Sequence, residues 1–329
     1  MIISRTPFRI SFFGGGTDYP VWYKENKGAV LSTTIDKYCY ITGWYLSPFF
    51  DYTSRIVWSQ IETVKDISQI KHPAVRESLK FMNLKRGVEI HHAGDLPART
   101  GLGSSSSFTV GLLHTLYALK GNMPSKMQLA KDAIHVEQNL LKENVGSQDQ
   151  VSVAFGGFNK IEFFADNDPF VIPIIMKNDD LQKLQDHMML VFTGFARTAS
   201  EIAGEQIKNT PRRANELKAM CQMVDEAINI LKSGDLIEFG KLLHESWQLK
   251  RSLSDKITTP EIDDIYDTAC RAGAIGGKLL GAGGGGFLLL FAEPEVQPRI
   301  KAKLNHLLHV PFRFENHGSQ IIFYAPEFT

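Results

Sequence analysis

The sequence predicts an α+β fold in two domains. Strand-like segments dominate the first hundred residues, helical periodicity takes over at Phe108, and the second half mixes both without regular strand–helix alternation. At 329 residues the chain also exceeds the usual size of one domain.

Each element has its own signal. "SRTPFRISFF", "GAVLSTTIDKYCYITGWYL", "RIVWSQIETV" and "GVEIHHAGDL" are rich in β-branched and aromatic residues, with Gly, Pro and Asp between them, and read as strands. Phe108, Leu112, Leu116 and Leu119 keep i+4 and i+3 spacing, which predicts a helix directly after "LPARTGLGSSSS". Ser125 with Gln128 makes a capping-box pattern that opens a second helix through "SKMQLAKDAIHVEQNLLK". "FNKIEFF" and "HMMLVFTG" return to strands around the polar "MKNDDLQKLQDH", where a domain joint is expected, giving domains at 1–185 and 186–329. Thr210-Pro211 reads as the N-cap and first residue of a long helix through Leu217, Met220, Val224, Ile228 and Leu231, stopped by Gly234. Thr259-Pro260-Glu261 repeats the start signal for Ile262, Ile265, Tyr266 and Ala269, and beyond "GKLLGAGGGGFLLLF" strand, helix and strands alternate to the end.

Composition narrows the function classes. Lys plus Arg and Asp plus Glu both total 36, so no net field favours a polyanion; a small-molecule partner is expected, with no nucleic acid and no membrane. Mean hydropathy is -0.14, and no apolar run approaches a spanning length. Arg5 and Pro7 interrupt the place where a secretory signal needs an apolar core. Cys39, Cys221 and Cys270 lie far apart without CxxC spacing, which argues for reduced thiols in a cytoplasmic protein rather than a disulfide framework or zinc site. His91-His92 and His306 with His309 form no recognised zinc constellation either. A homodimer is compatible with all of this.

The chemistry concentrates in "LPARTGLGSSSSF". A helix N-terminus presents unpaired N–H groups and the positive end of its dipole, so it attracts anions wherever the backbone can be approached. Gly101, Leu102 and Gly103 followed by Ser104, Ser105, Ser106 and Ser107 suit a polyphosphate, whereas helix capping accounts for one serine. No GxxxxGK[ST] or GxSxG occurs. Gly281, Gly283 and Gly286 satisfy GxGxxG, but a helix-like segment precedes them and a strand follows, the reverse of a dinucleotide fingerprint.

Three separated segments together resemble the GHMP kinases, the superfamily of galactokinase, homoserine kinase and mevalonate kinase. "TPFRISFFGGGTDYP" is similar to that family's substrate motif, "LPARTGLGSSSSF" to its ATP-phosphate loop and "KLLGAGGGGF" to its C-terminal glycine motif. The resemblance implies a ribosomal-S5-like N-terminal domain, a ferredoxin-like C-terminal domain, and ATP with Mg²⁺ as cofactors. Within the superfamily the first segment is most similar to D-glycero-D-manno-heptose phosphate kinases, then to fucose-type sugar kinases. Gly15-Gly16 stands where galactokinases carry a Glu-His pair, which opens room for a larger, phosphorylated sugar.

By the same resemblance, Asp149 in "GSQDQ" is the base for the sugar hydroxyl and Arg9 its basic neighbour. Ser105 and Glu137 are expected to hold Mg²⁺, Asp18 to accept from sugar hydroxyls, and Gly283 with Gly284 to close over the substrate. Arg197, with Thr198 and Ser200, is expected from its position to meet a phosphate on the acceptor. Trp58 and its aromatic neighbours are candidates for an adenine wall or plain core. The implied activity is phosphorylation of the anomeric hydroxyl of D-glycero-D-manno-heptose 7-phosphate for nucleotide-activated heptose. An anomeric kinase for fucose or galactose, a silent sugar sensor and a nicotinamide oxidoreductase are the competing readings.

Overall fold

The computed structural model describes residues 1–98, 100–194 and 199–326. Its strands are β1 (Ile2–Phe13), β2 (Gly28–Tyr45), β3 (Ser54–Val57), β4 (Ile61–Val64), β5 (Val88–Gly94), β6 (Phe158–Phe163), β7 (Phe170–Pro173), β8 (Met188–Phe192), β9 (Gly276–Leu279), β10 (Phe287–Phe291), β11 (Leu308–His309), β12 (Phe314–Glu315) and β13 (Gln320–Tyr324). Its helices are α1 (Pro20–Tyr23), α2 (Pro73–Phe81), α3 (Ser104–Leu119), α4 (Lys126–Ile134), α5 (Gln148–Phe155), α6 (Asn178–Asp186), α7 (Ala199–Asn209), α8 (Ala214–Ser233), α9 (Leu236–Ser252), α10 (Pro260–Arg271) and α11 (Gln297–Lys303).

Among the described residues the strands form a nine-stranded sheet and a four-stranded sheet, so the α+β expectation holds. The 18-residue β2 organises the first sheet. It runs antiparallel to β1 along most of its length, pairs β6 through residues 28–33, and pairs β5 through 39–45. The second sheet is antiparallel in the order β11-β8-β10-β9, and α9 packs on β9. Two buried apolar clusters fill the interior, one around Phe12, Leu31, Leu112 and Phe163, the other around Trp247, Tyr266, Leu279 and Leu290. The expected joint after residue 185 falls at the end of α6. Residues 314–315 and 320–324 then cross back, pairing β12 with β2 and β13 with β1, which covers the edge β1 would otherwise leave open.

Several local signals act as read. Ser125 accepts from the Gln128 N–H and Thr259 from the Ile262 N–H, each opening its helix. Others do not. The helix expected to run through 142 is α-helical only to Ile134; residues 135–140 widen into a π turn, in which Leu141 N–H reaches the Val136 carbonyl at 2.9 Å. Thr210-Pro211 does not cap the long helix. Thr210 instead donates its hydroxyl back to the Gln206 carbonyl of α7 at 3.0 Å, a 3₁₀ turn follows, and α8 starts at Ala214. The polar joint 176–187 contains α6, and α2 interrupts the stretch read mainly as strands, with Pro73 at its first position.

Candidate active site

The N-terminus of α3 is the focus. Gly103 caps it at φ 74, in the left-handed region, and has no side chain to offer the first N–H groups of the helix. Helical rotation divides the serines. Ser107 turns inward and donates to the Pro7 and Gly103 carbonyls at 2.9 and 3.0 Å; Ser106 is buried; Ser105 is exposed.

Arg9, near the middle of β1, reaches this turn. Its Nε and Nη2 donate to Oδ1 and Oδ2 of Asp149, both at 2.7 Å, and Nη1 donates to the Gly101 carbonyl at 2.7 Å. The backbone adds Arg9 N–H to the Leu102 carbonyl at 3.0 Å. The Arg9 side chain is 3% exposed and Asp149 25%, so the carboxylate stays accessible while the guanidinium does not. A Cβ built on Gly103 would lie 3.1 Å from Arg9 Cγ and 3.5 Å from Asp149 Oδ2, which places the Asp149 carboxylate beside the start of α3.

At Gly101, φ +83, a Cβ would sit 2.3 Å from the Leu280 carbonyl, so the bare backbone here also admits the second glycine loop. That loop is tied down further by Phe287 N–H to the Thr100 carbonyl at 3.1 Å and Gly284 N–H to the Ile257 carbonyl at 2.8 Å. Gly283 approaches the Ile257 backbone, where a Cβ would meet Cα at 2.7 Å. Gly15 lies on the other side, near Ser11 and Gln148, whose side chains bond each other at 2.7 Å.

Asp18, expected to accept from sugar hydroxyls, is buried and held by backbone donors. It is 1% exposed, Oδ1 accepts from Gly16 N–H at 2.9 Å, and Oδ2 accepts from Gln148 N–H at 3.3 Å. Its carbonyl takes the Ser147 N–H at 2.9 Å, and any side chain at Gly146 would strike its carboxylate. Asp18 therefore fastens the first glycine turn to the start of α5. Burial, then the nearby Asp149 charge, raises its pKa.

Glu137, in the π turn, is fully buried, as its apolar neighbours suggested. Its partner is Ser106, whose hydroxyl donates to Oε2 at 2.9 Å, and not Ser105, one residue or about 100° away around the helix. Gln150 Nε2 donates to the same oxygen. Among the described residues Oε1 of Glu137 and Oε1 of Gln150 have no partner, and burial pushes the Glu137 pKa up to about 7. A buried carboxylate with one orphaned oxygen beside a serine hydroxyl is a donor set that suits a hard cation such as Mg²⁺.

Two functional-site neighbours escaped the sequence reading. Lys250 of α9 is buried and donates to the Leu279 carbonyl at 3.1 Å and to the Gly281 carbonyl; Lys278 of β9 donates to the Phe12 carbonyl at 2.7 Å. Burial first, then the Arg9 charge, lowers the Lys250 pKa to about 7; burial likewise lowers that of Lys278. The signal was available for Lys250, which continues the buried stripe of Phe239, Leu243 and Trp247. Arg197 and Thr198 lie outside the described residues, as does the Ser200 side chain. Trp58 donates to Glu62 Oε1 at 3.0 Å and meets His72 edge-on, with His72 stacked on Phe108.

A model of the GHMP kinases N terminal domain matches residues 67–157, and one of the GHMP kinases C terminal matches 205–309. D-glycero-alpha-D-manno-heptose 7-phosphate kinase of Campylobacter jejuni is 31% identical over 309 residues, covering 89% of this chain and 90% of its own. Galactokinase of Thermotoga neapolitana is 22% identical, covering 94% and 95%. The crystal structure of a D-glycero-D-manno-heptose 1-phosphate kinase from Bacteroides thetaiotaomicron superposes with a TM-score of 0.77 at 25% identity, covering 97% of this chain and 98% of the other. Among the described residues no helix is long and apolar enough to cross a membrane.

Proposed function

We propose that this chain, which belongs to the GHMP kinase family, transfers the terminal phosphoryl group of ATP to the anomeric hydroxyl of D-glycero-D-manno-heptose 7-phosphate. That it is a kinase follows from its relatives, and GHMP kinases take ATP as donor. The observation that carries the reading is the Arg9–Asp149 fork set beside the uncapped start of α3.

The triphosphate lies against the N–H groups of residues 101–106, where the helix dipole and backbone donors meet negative charge. Asp149 sits at the edge of that turn, open enough to face an alcohol. As the alcohol oxygen bonds to the terminal phosphorus, the bond to the ADP oxygen breaks and the alcohol proton passes to Asp149. Arg9 holds both carboxylate oxygens in place and supplies positive charge beside the transfer. Ser106 and Glu137 would hold Mg²⁺, which when bound neutralises phosphate charge.

The heptose assignment is supported by the Campylobacter relative and by Gly15-Gly16, which bring no side chains where galactokinases carry a Glu-His pair. An acceptor panel with ATP tests it: heptose 7-phosphate, the same heptose without phosphate, fucose and galactose, with products read by ³¹P NMR. Fastest turnover of the phosphorylated heptose, giving a 1,7-bisphosphate that feeds nucleotide-activated heptose, is expected. Preference for any unphosphorylated sugar overturns it.

A further inference from the structure

Lys250 of α9 takes no part in the chemistry above, yet it lies against the site. It is 6% exposed, and the charges of Arg9, Asp18 and Asp149 all act on it. Its place follows from how α9 lies on β9. A Cβ on Gly276 would come 2.0 Å from the Gly240 carbonyl, so helix and strand touch backbone to backbone at that point. From there to Lys250 is ten helical residues, about 15 Å, and to Gly281 five extended residues, about 16 Å, so the lysine arrives where the strand gives way to the glycine loop.

There it bridges two carbonyls. Its Nζ donates to that of Leu279 at 3.1 Å and to that of Gly281, the residues on either side of Leu280. Leu280 and Gly281 are the ones that meet the loop before α3: a Cβ on Gly101 would lie 2.3 Å from the Leu280 carbonyl, and one on Gly281 2.5 Å from Gly101 Cα. The Gly101 carbonyl in turn accepts from Arg9 Nη1 at 2.7 Å, and the same guanidinium forks onto Asp149. A continuous chain of contacts thus runs from Lys250 through Gly281, Gly101 and Arg9 to Asp149.

A lysine is poorly suited to this place as a mere prop. Burying an ammonium carries a desolvation penalty that its hydrogen bonds do not readily offset, and an apolar residue would continue the stripe of Phe239, Leu243 and Trp247. Stability alone gives no reason for a cation here. We propose that Lys250 is a positioning residue for phosphoryl transfer: by holding the Leu279 and Gly281 carbonyls it sets the glycine loop against Gly101, and so fixes the turn before α3 and the Arg9–Asp149 pair relative to each other. The inference rests on the reading of that turn as the triphosphate site, and not on which sugar accepts.

The test compares wild type, Lys250→Met and Lys250→Arg, each as the full chain, with ATP and the sugar that wild type phosphorylates fastest. Binding of a non-hydrolysable ATP analogue with Mg²⁺ is titrated alongside, and thermal melts follow the fold. In Lys250→Met the melting temperature should stay within about 3 °C of wild type. Its kcat should fall roughly 10- to 100-fold while the acceptor KM moves less than about twofold, and the analogue should bind roughly tenfold more weakly. Lys250→Arg, which keeps the charge and the donors, should recover part of kcat. A Lys250→Met kcat within about threefold of wild type overturns the proposal. So does a loss confined to the acceptor KM, a Lys250→Met chain that does not fold, or an arginine variant that folds and recovers nothing. A wild type that does not bind the ATP analogue overturns the reading of the α3 turn and this inference together.

Discussion

Asp149→Asn separates what the Arg9–Asp149 pair does for the fold from what it does for transfer. An asparagine offers one acceptor oxygen, and its amide nitrogen would confront one of the two Arg9 N–H groups that now donate at 2.7 Å. One charge-assisted bond is lost, the other becomes neutral, and a guanidinium only 3% exposed keeps the Gly101 carbonyl as its remaining strong acceptor. Breaking a fully buried pair costs about 3–5 kcal/mol, and solvent at the quarter-exposed Asp149 reduces that to about 2–3 kcal/mol. Urea unfolding followed by tryptophan fluorescence should therefore show a lower midpoint at unchanged slope. Adding Arg9→Met removes the stranded charge, so part of the stability should return, with a coupling energy of about 1.5–3 kcal/mol. Turnover should not return: kcat should fall by about 10²–10⁴ in Asp149→Asn and stay there in the double variant. A single variant within about threefold of wild-type kcat refutes the proton-acceptor role; a coupling energy below about 0.5 kcal/mol refutes the structural one.

Three further substitutions test the surroundings of the pair, one of them as a control away from it. Because the Glu137 pKa is raised from 4.5 to about 7, the folded protein holds an extra proton between those values and loses stability as pH rises through that window, by about 3 kcal/mol at most without a cation. Glu137→Gln should flatten that pH dependence in melts and raise the Mg²⁺ concentration for half-activity by about tenfold; an unchanged pH slope and Mg²⁺ response would sink the assignment. Gly101→Ala should cost about 3 kcal/mol or more, combining a left-handed backbone at φ +83 with the Leu280 carbonyl 2.3 Å from the new Cβ. Gly121→Ala, at φ +70 with nothing within 4 Å, should cost only about 1–2 kcal/mol. Equal losses in the two alanine variants would mean that the contact between the glycine loops contributes nothing.

The sequence by itself determined what short-range physics encodes. Period-two and period-3.6 apolar spacing located β1, β2, α3 and α10, and the Ser125 and Thr259 hydroxyls cap the helices they open. The same kind of signal failed at Thr210, because its hydroxyl had a carbonyl available four residues back and took it. Quoted motifs also pointed to Arg9, Asp149 and the α3 turn as one constellation. Tertiary structure decided the rest. Arg9 meets Gly101 across 92 residues and Asp149 across 140, so no local rule could report their distance or the fork. Which serine faces Glu137 depends on how α3 is rotated against the π turn, and that orientation is set by packing on β1 and β2 rather than by the run of serines. Asp18 was drawn into the backbone of its own loop, and Lys250 was carried inside by the stripe on α9. A side chain's chemistry is written in its residue type, but its burial and its partners belong to the whole folded chain.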